Sequence, residues 1–413
     1  MKKLCVLLAF VLCISTIPLG ALTASAEVLS GTYGDNITWS LDTETGVLTI
    51  SGTGEMKECT SYHDSPWSSN YNIKAVNIAE GITSICNFAF SDCRYLESVS
   101  IPEGVISIGE SAFYNCRLLE SVSIPSSMER IDPGAFFHCF ALSSVYITDI
   151  AAWCGIEFIP SDSNPVINAQ NLYLNGELLT ELVIPDDVTV INDCAFINCD
   201  SIVSVTIPDS VTSIGASAFK NCSNLVDLNM GDGVTILKEY AFSYCNGLES
   251  VNLSKSLNTV ESFAFGVCEN LTTVSLPLST VEILAWGFWD CSNITTVYYE
   301  GQEEDWAAIN IGGENDPLLE ANIIFGSAGE DIDGESSETN GESSEEADAV
   351  YGDINGDGDI NSLDAAQVLK HDAQLITLET EAIIAADVNG DGTVNSLDAA
   401  QILKYDAKLI TEF

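Results

Sequence analysis

The chain has 413 residues, with 13 Lys+Arg against 61 Asp+Glu and a formal net charge of −48 at pH 7. That length suits two or three domains and a sizeable core. The charge excludes nucleic acid and anionic lipid as partners by repulsion and makes divalent cations natural ones.

In chain order, "MKKLCVLLAFVLCISTIPLGALTASAEV" predicts a secretory signal peptide over residues 1–26. Lys2 and Lys3 supply the positive end, an apolar run follows, and Ala24-Ser25-Ala26 forms a small-residue cleavage site. Pro18 and Gly20 interrupt the run, which is short for a membrane span. A lipid anchor at Cys13 is disfavoured because bulky Leu12 precedes it. No second segment is apolar over a spanning length, so membrane insertion is not expected. Removing the leader leaves 11 Lys+Arg against 61 Asp+Glu, which suits a soluble secreted protein.

Residues 27–72 are expected to form a β-rich cap, and residues 73–325 a solenoid. From residue 89 the chain repeats "AFSDCRYLESVSIPEGVISIGES", "AFYNCRLLESVSIPSSMERIDPG", "AFKNCSNLVDLNMGDGVTILKEY" and their kin every 23 residues. Cysteines at 93, 116 and 139, then at 199, 222, 245, 268 and 291, keep the period. Each unit holds an apolar-x-x-apolar-x-apolar strand, the first beginning at Ile73 and the last at Ile294. One unit cannot bury its apolar face alone, but parallel stacking at about 4.8 Å per rung does so. Between the strands starting at Leu142 and Leu179 the spacing is 37, which predicts a 14-residue insertion near 148–178.

These units resemble the BspA-like bacterial leucine-rich repeats from about Ile73 to Tyr299. "GDNITWSLDTETGVLTISGTGEM" resembles that family's β-rich N-terminal cap, and "VYYEGQEEDWAAINIGGENDPLLEANIIF" its closing unit. Caps are needed because an open solenoid end exposes apolar side chains and unpaired strand edges.

Residues 326–350, "GSAGEDIDGESSETNGESSEEADAV", change composition sharply, with many acids and no base or aromatic ring. Such a stretch is expected to be a disordered, self-repelling linker.

Two blocks follow, "DINGDGDINSLD" from Asp353 and "DVNGDGTVNSLD" from Asp387. Ca²⁺ takes six to eight oxygen ligands, and loop positions one, three, five, seven and twelve supply them. The expected ligands of the first ion are Asp353, Asn355, Asp357, the Asp359 carbonyl and Asp364. Those of the second are Asp387, Asn389, Asp391, the Thr393 carbonyl and Asp398. Gly358 and Gly392 fall where the loop turns sharply. Unlike the ordinary EF-hand, position twelve is Asp, and no entering helix precedes the first loop.

This duplicated loop-helix is similar to the type I dockerin over residues 351–413, an all-α module. The resemblance implies two Ca²⁺ ions and a cohesin module as partner, within assemblies that degrade plant polysaccharide (cellulosomes). It further implies cohesin contacts from Ser362, Leu363 and Lys370 in one half, and from Ser396, Leu397 and Lys404 in the other. Because the halves carry identical pairs, either orientation of docking is open.

The outward strand columns run Ser98, Ser121, Ser144, Glu181, Ser204, Asp227, and Ser100, Ser123, Tyr146, Val183, Thr206, Asn229. This face is neutral and hydrogen-bonding. Glu181 and Asp227, two rungs apart, lie at or beyond the separation of an inverting glycosidase pair. The only histidines are His63, His138 and His371. His138 beside Cys139 suggests a nucleophile pair, but Cys139 is one of eight equivalent rung cysteines, which reads as a buried thiol ladder. Stacked rung cysteines come near disulfide range, and off the ladder the sequence leaves a Cys59–Cys86 or a Cys154–Cys194 bridge open. Trp67, Tyr146, Trp289 and Trp306 are candidates to stack on sugar rings, although Trp in a cap is more often core. The resulting expectation is a non-catalytic, secreted, modular protein whose solenoid binds a protein, cell-surface or glycan ligand. A hydrolase with an unrecognised active site and a purely structural spacer are the alternatives.

Overall fold

The computed structural model describes residues 27–326 except 69, 71 and 160–162. Beyond them it describes residues 354, 360, 362–372, 378, 382, 385–386, 388, 394, 399 and 402–404. Contacts divide the chain into two units, Met1–Asp331 and Ile332–Phe413.

In the first unit the chain opens with three antiparallel strands, Val28–Thr32, Ile37–Asp42 and Val47–Gly52. The third pairs in parallel with Ala75–Ile78, so the cap hands its edge directly to the solenoid. The turn before it requires glycine: Gly46 has φ +75°, and a Cβ there would lie 2.4 Å from the Asn72 carbonyl oxygen. Trp67 closes the solenoid's first end, edge-on to Tyr33 at 5.0 Å and stacked on Phe90 at 5.9 Å.

Each rung carries two parallel strands rather than the single one expected from the repeat. The longer ladder includes Ser98–Ser100, Ser121–Ser123, Ser144–Ile147, then Ser204–Ile207, Asp227–Met230 and, further on, Thr296–Tyr299. A second ladder is built from two-residue strands such as Ser107–Ile108, Arg130–Ile131, Ser213–Ile214 and Thr259–Val260. Two residues are too few to leave an alternation pattern, which is why the repeat hides them. The longer strands also start about two residues after the first apolar position, as Ile73 and Leu96 sit in the preceding turns.

The third side is the AF-x-x-C turn. Its Phe side chains stack inside the coil, with centroids 5.2 Å apart for Phe196–Phe219, 5.1 Å for Phe219–Phe242 and 5.4 Å for Phe242–Phe265. One of these turns places Gly134 with His138 in the left-handed region, and most place two non-glycine residues there, for example Ser217 (φ 56°) and Asn221 (φ 60°). L-residues resist that conformation by about 1–2 kcal/mol. The same residues donate their N–H groups to the next rung, Ser217 to Glu239 at 2.9 Å and Asn221 to Ser243 at 2.8 Å, so the cost is offset by a regular bond that orders the stack.

The insertion does not leave the stack. Glu157–Phe158 pairs with Arg130–Ile131, and Leu172–Leu174 pairs with Ser144–Ile147. Ahead of Glu157–Phe158 a short helix, Ile150–Cys154, is capped by the Asp149 carboxylate, which accepts from the Ala152 N–H at 3.0 Å. The longer ladder breaks after the hairpin of Leu172–Leu174 with Glu177–Leu178 and restarts at Glu181–Val183. The apolar core continues across the break from Tyr33 to Leu318.

Wherever a coil lacks a neighbour, a side chain replaces the missing backbone donor or acceptor. Trp67 Nε1 donates to the Ala89 carbonyl at 2.7 Å, and Trp153 Nε1 to the Ala195 carbonyl at 2.8 Å. At the far end the buried Asn315 accepts from the Phe288 N–H at 2.9 Å through Oδ1.

In the second unit a helix spans Ser362–Asp372. Its described core holds Ile354, Ala365, Val368, Leu378, Ala386, Val388, Ala399 and Ile402. Ala365/Ala399 and Val368/Ile402 are 34 residues apart, as the duplicated sequence requires. The predicted leader, most of the acidic linker and most loop ligands lie outside the described residues.

Candidate functional site

The strand face presents the expected columns. Ser204 pairs with both Glu181 and Asp227, and Thr206 with both Val183 and Asn229, while the intervening Val205 is buried. Glu181 and Asp227 are therefore two rungs apart with Ser204 between them, both exposed to solvent.

A cleft of about 410 Å³ opens on this face beside the insertion, a volume suited to a small ligand. Ile101, Glu103, Ser123, Tyr146, Thr148 and Asn175 line it. Tyr146 packs against Tyr173 of the inserted rung at 4.8 Å between centroids. Asn175 (φ 53°) and Gly176 (φ +88°) form the two-residue turn of the inserted hairpin, the Asn-Gly pair that such turns favour. That turn builds one wall of the cleft. Asn175, Glu103 and Thr148 were not singled out in the sequence, although the dipeptide in "LYLNGELL" is a hairpin signal. The lining offers a phenol ring, hydroxyls, an amide and one carboxylate, and it includes no lysine, arginine or histidine. That chemistry suits an uncharged, hydroxyl-bearing ligand and repels anions.

The other aromatic candidates divide. Trp67 is buried, and Trp306 packs edge-on to Tyr299 at 5.3 Å against the core. Trp289 is 39 % exposed. It stands edge-on to Phe263, in a column of stacked rings running Tyr240, Phe263, Trp286 that the sequence reading missed. Lys220 lies 4.5 Å over the Tyr240 ring.

The rung cysteines are structural. Cys222, Cys245 and Cys268 each donate a thiol hydrogen bond at 3.2 Å to the Phe carbonyl of the preceding rung. Burial pushes the Cys199 thiol up to about 12 and Cys222 well above its ordinary value, which removes the thiolate a nucleophile needs. Cys139 faces inward to the Phe113 carbonyl at 3.1 Å, whereas His138 stacks on Phe137 at 4.2 Å. The suggested Cys/His pair is therefore not assembled. All twelve described cysteines are free thiols, Cys154 and Cys194 among them.

In the second unit Asp364 is wholly buried and accepts from the Ile354 N–H at 2.9 Å. Position twelve of the loop is thereby tied back to position two, which gathers the loop ends as a cation-binding turn requires. A carboxylate at this loop position is an oxygen donor of the kind Ca²⁺ takes. Of the other predicted ligands, Asp353, Asn355, Asp357, Asp359, Asp387, Asn389, Asp391, Thr393 and Asp398 lie outside the described residues. Lys370 and Lys404 are exposed on helical backbone, each beside an exposed leucine, Leu369 or Leu403, that the sequence reading passed over. Ser362 and Leu363 open the helix, and Ser396 and Leu397 fall outside the described residues.

Comparison with known proteins gives two family matches. The BspA type leucine rich repeat region matches residues 63–154 and 168–295, in six copies. The dockerin type I domain matches residues 351–405. Among solved structures, a leucine-rich repeat protein from Eubacterium ventriosum is 22% identical, with 69% of this chain and 94% of that one covered at TM-score 0.40. A leucine rich cell surface protein from Faecalibacterium prausnitzii is 22% identical, with 70% and 99% covered at TM-score 0.36. A leucine-rich repeat protein from Bacteroides ovatus is 19% identical, with 70% and 98% covered at TM-score 0.32. No curated protein matches. Among the described residues no helix is long and apolar enough to cross a membrane.

Proposed function

Because the chain belongs to the BspA-type leucine-rich-repeat family and carries a type I dockerin domain, we propose that it is a secreted, non-catalytic recognition subunit of a cohesin-based, polysaccharide-degrading assembly. The observation that carries this reading is the duplicated loop-helix, in which Ser362-Leu363 with Lys370 recurs as Ser396-Leu397 with Lys404. Asp353, Asn355, Asp357, Asp359 and Asp364 would hold one Ca²⁺, and Asp387, Asn389, Asp391, Thr393 and Asp398 a second. Bound Ca²⁺ supplies the positive charge that lets these carboxylates converge. Asp364 draws the start of its loop against the helix through the Ile354 N–H. The helices then present Leu369-Lys370 and Leu403-Lys404 outward to the cohesin.

The solenoid is the cargo. Its cleft at Tyr146 supports recognition of a neutral, hydroxyl-rich ligand, a glycan or a polar protein segment. The leader-like N-terminus and the acidic surface support an extracellular location, at a scaffold or cell surface.

Calorimetry of the intact chain against a panel of type I cohesins, first in Ca²⁺ and then in EDTA, tests the docking half. Tight binding abolished by EDTA is expected. Affinity unchanged by EDTA, or Ca²⁺ uptake without affinity for any cohesin, would overturn it.

A further inference from the structure

Cys59 and Cys86 stand apart from the rung thiols. Cys59 lies in the cap, in a loop whose neighbours Lys57, Glu58 and Thr60 are exposed. Cys86 directly follows the strand Ile82–Ile85 of the first solenoid rungs. Their sulfurs approach to 3.3 Å. Tyr33, from the first turn of the cap, places its hydroxyl 2.6 Å from Cys59 Sγ and 3.5 Å from Cys86 Sγ, and donates to the Lys57 carbonyl at 2.9 Å. The pair is therefore held together by three segments distant in sequence. By contrast, the thiols of Cys116, Cys139, Cys222, Cys245, Cys268 and Cys291 are each engaged with the carbonyl of a Phe one rung away.

We propose that Cys59 and Cys86 are a disulfide-forming pair that clamps the N-terminal cap to the solenoid, and that the rung cysteines remain thiols. The oxidant is a small-molecule disulfide of the glutathione type. The Cys59 thiolate attacks one of its sulfurs, forming a mixed disulfide and expelling one thiolate. Cys86, giving its proton to solvent, then attacks the Cys59 sulfur and expels the second thiolate. Two protein thiols and one disulfide become one protein disulfide and two small thiols, with two electrons passing to the oxidant.

The order of attack follows from the surroundings. The hydrogen-bonded Cys86 thiol pulls Cys59 down to about 7 against the opposing effect of burial. Cys86 moves upward, through its bond to Cys59 and then burial. Cys59 is thus the thiolate near neutral pH, and the exposed loop that carries it admits the oxidant by local opening. Closing the pair needs the sulfurs to approach from 3.3 Å to about 2.0 Å.

The test is a thiol count. The chain from residue 27 onward, which holds twelve cysteines, is reduced and folded. It is then equilibrated with oxidised and reduced glutathione, and denatured in N-ethylmaleimide. Ten labels are expected, with one cross-linked peptide pair carrying Cys59 and Cys86, and the closing rate should rise with pH around 7. Cys59→Ser should take eleven labels and form no internal cross-link. Twelve labels on the oxidised wild type, or a cross-link between any other pair, would overturn the proposal.

Discussion

In the solenoid the buried Phe rings stack from rung to rung, Phe219 for instance between two others at 5.2 and 5.1 Å, and one apolar cluster runs from Tyr33 to Leu318. In the C-terminal unit the described core has eight residues, three pairs of them related by the internal duplication. The first region is long enough to stabilise itself by stacking, because each added rung buries the face of the last. The second is of the size at which a hydrophobic core alone is marginal, and its sequence concentrates carboxylates that would repel one another without a cation. On the proposed reading, the difference teaches that acidity has two meanings in one chain: a solvated surface on the solenoid and a ligand set at the terminus.

That contrast is breakable. The largest effect is expected from Asp364→Ala, which removes a buried carboxylate and leaves the Ile354 N–H unpaired. Cohesin affinity should fall at least about 100-fold, while the solenoid's thermal transition stays in place. Calorimetry and circular dichroism on the same sample check both halves. A shift of the main transition would mean that the two units do not fold independently.

Next is Phe219→Ala. The side chain is fully buried within the ladder, and its loss should cost about 3–5 kcal/mol, read by chemical denaturation. Cohesin binding should not change. Smaller again is Trp153→Phe, which keeps an aromatic ring of smaller volume and withdraws the Nε1 donor from the Ala195 carbonyl. Asn164 still donates to that carbonyl at 3.1 Å, so the expected loss is near the lower end of the range of about 1–3 kcal/mol for an orphaned buried group. Hydrogen exchange should report it as loosening confined to the restart of the longer ladder.

Much of this architecture was legible because the repeat is written in residue types. The 23-residue period, the buried Cys of AF-x-x-C and the outward Ser/Thr columns all followed from the spacing of the repeat, since stacking forces each rung to repeat its neighbour's burial. The two-residue ladder was not legible, because pairs such as Ser107-Ile108 carry no periodicity of their own. Nor were the left-handed residues at Tyr240 (φ 60°) and Trp286 (φ 65°), where rung-to-rung hydrogen bonds override the preference for glycine. The spacing of 37 set the stretch near 148–178 apart from the repeat. That it forms a rung, with a hairpin walling a cleft, depended on its partners Arg130–Ile131 and Ser144–Ile147.

The sequence by itself determined the parallel stack, the place of its interruption and the duplicated loop-helix, because each is a matter of spacing along the chain. Tertiary structure decided which side chains meet across the chain: Tyr146 with Tyr173, Trp153 with Ala195, Cys59 with Cys86. Those meetings depend on how many coils lie between two residues and on what fills a coil's open edge. A contact between rungs is fixed by the stacked geometry of everything between them, and no local pattern of residues encodes it.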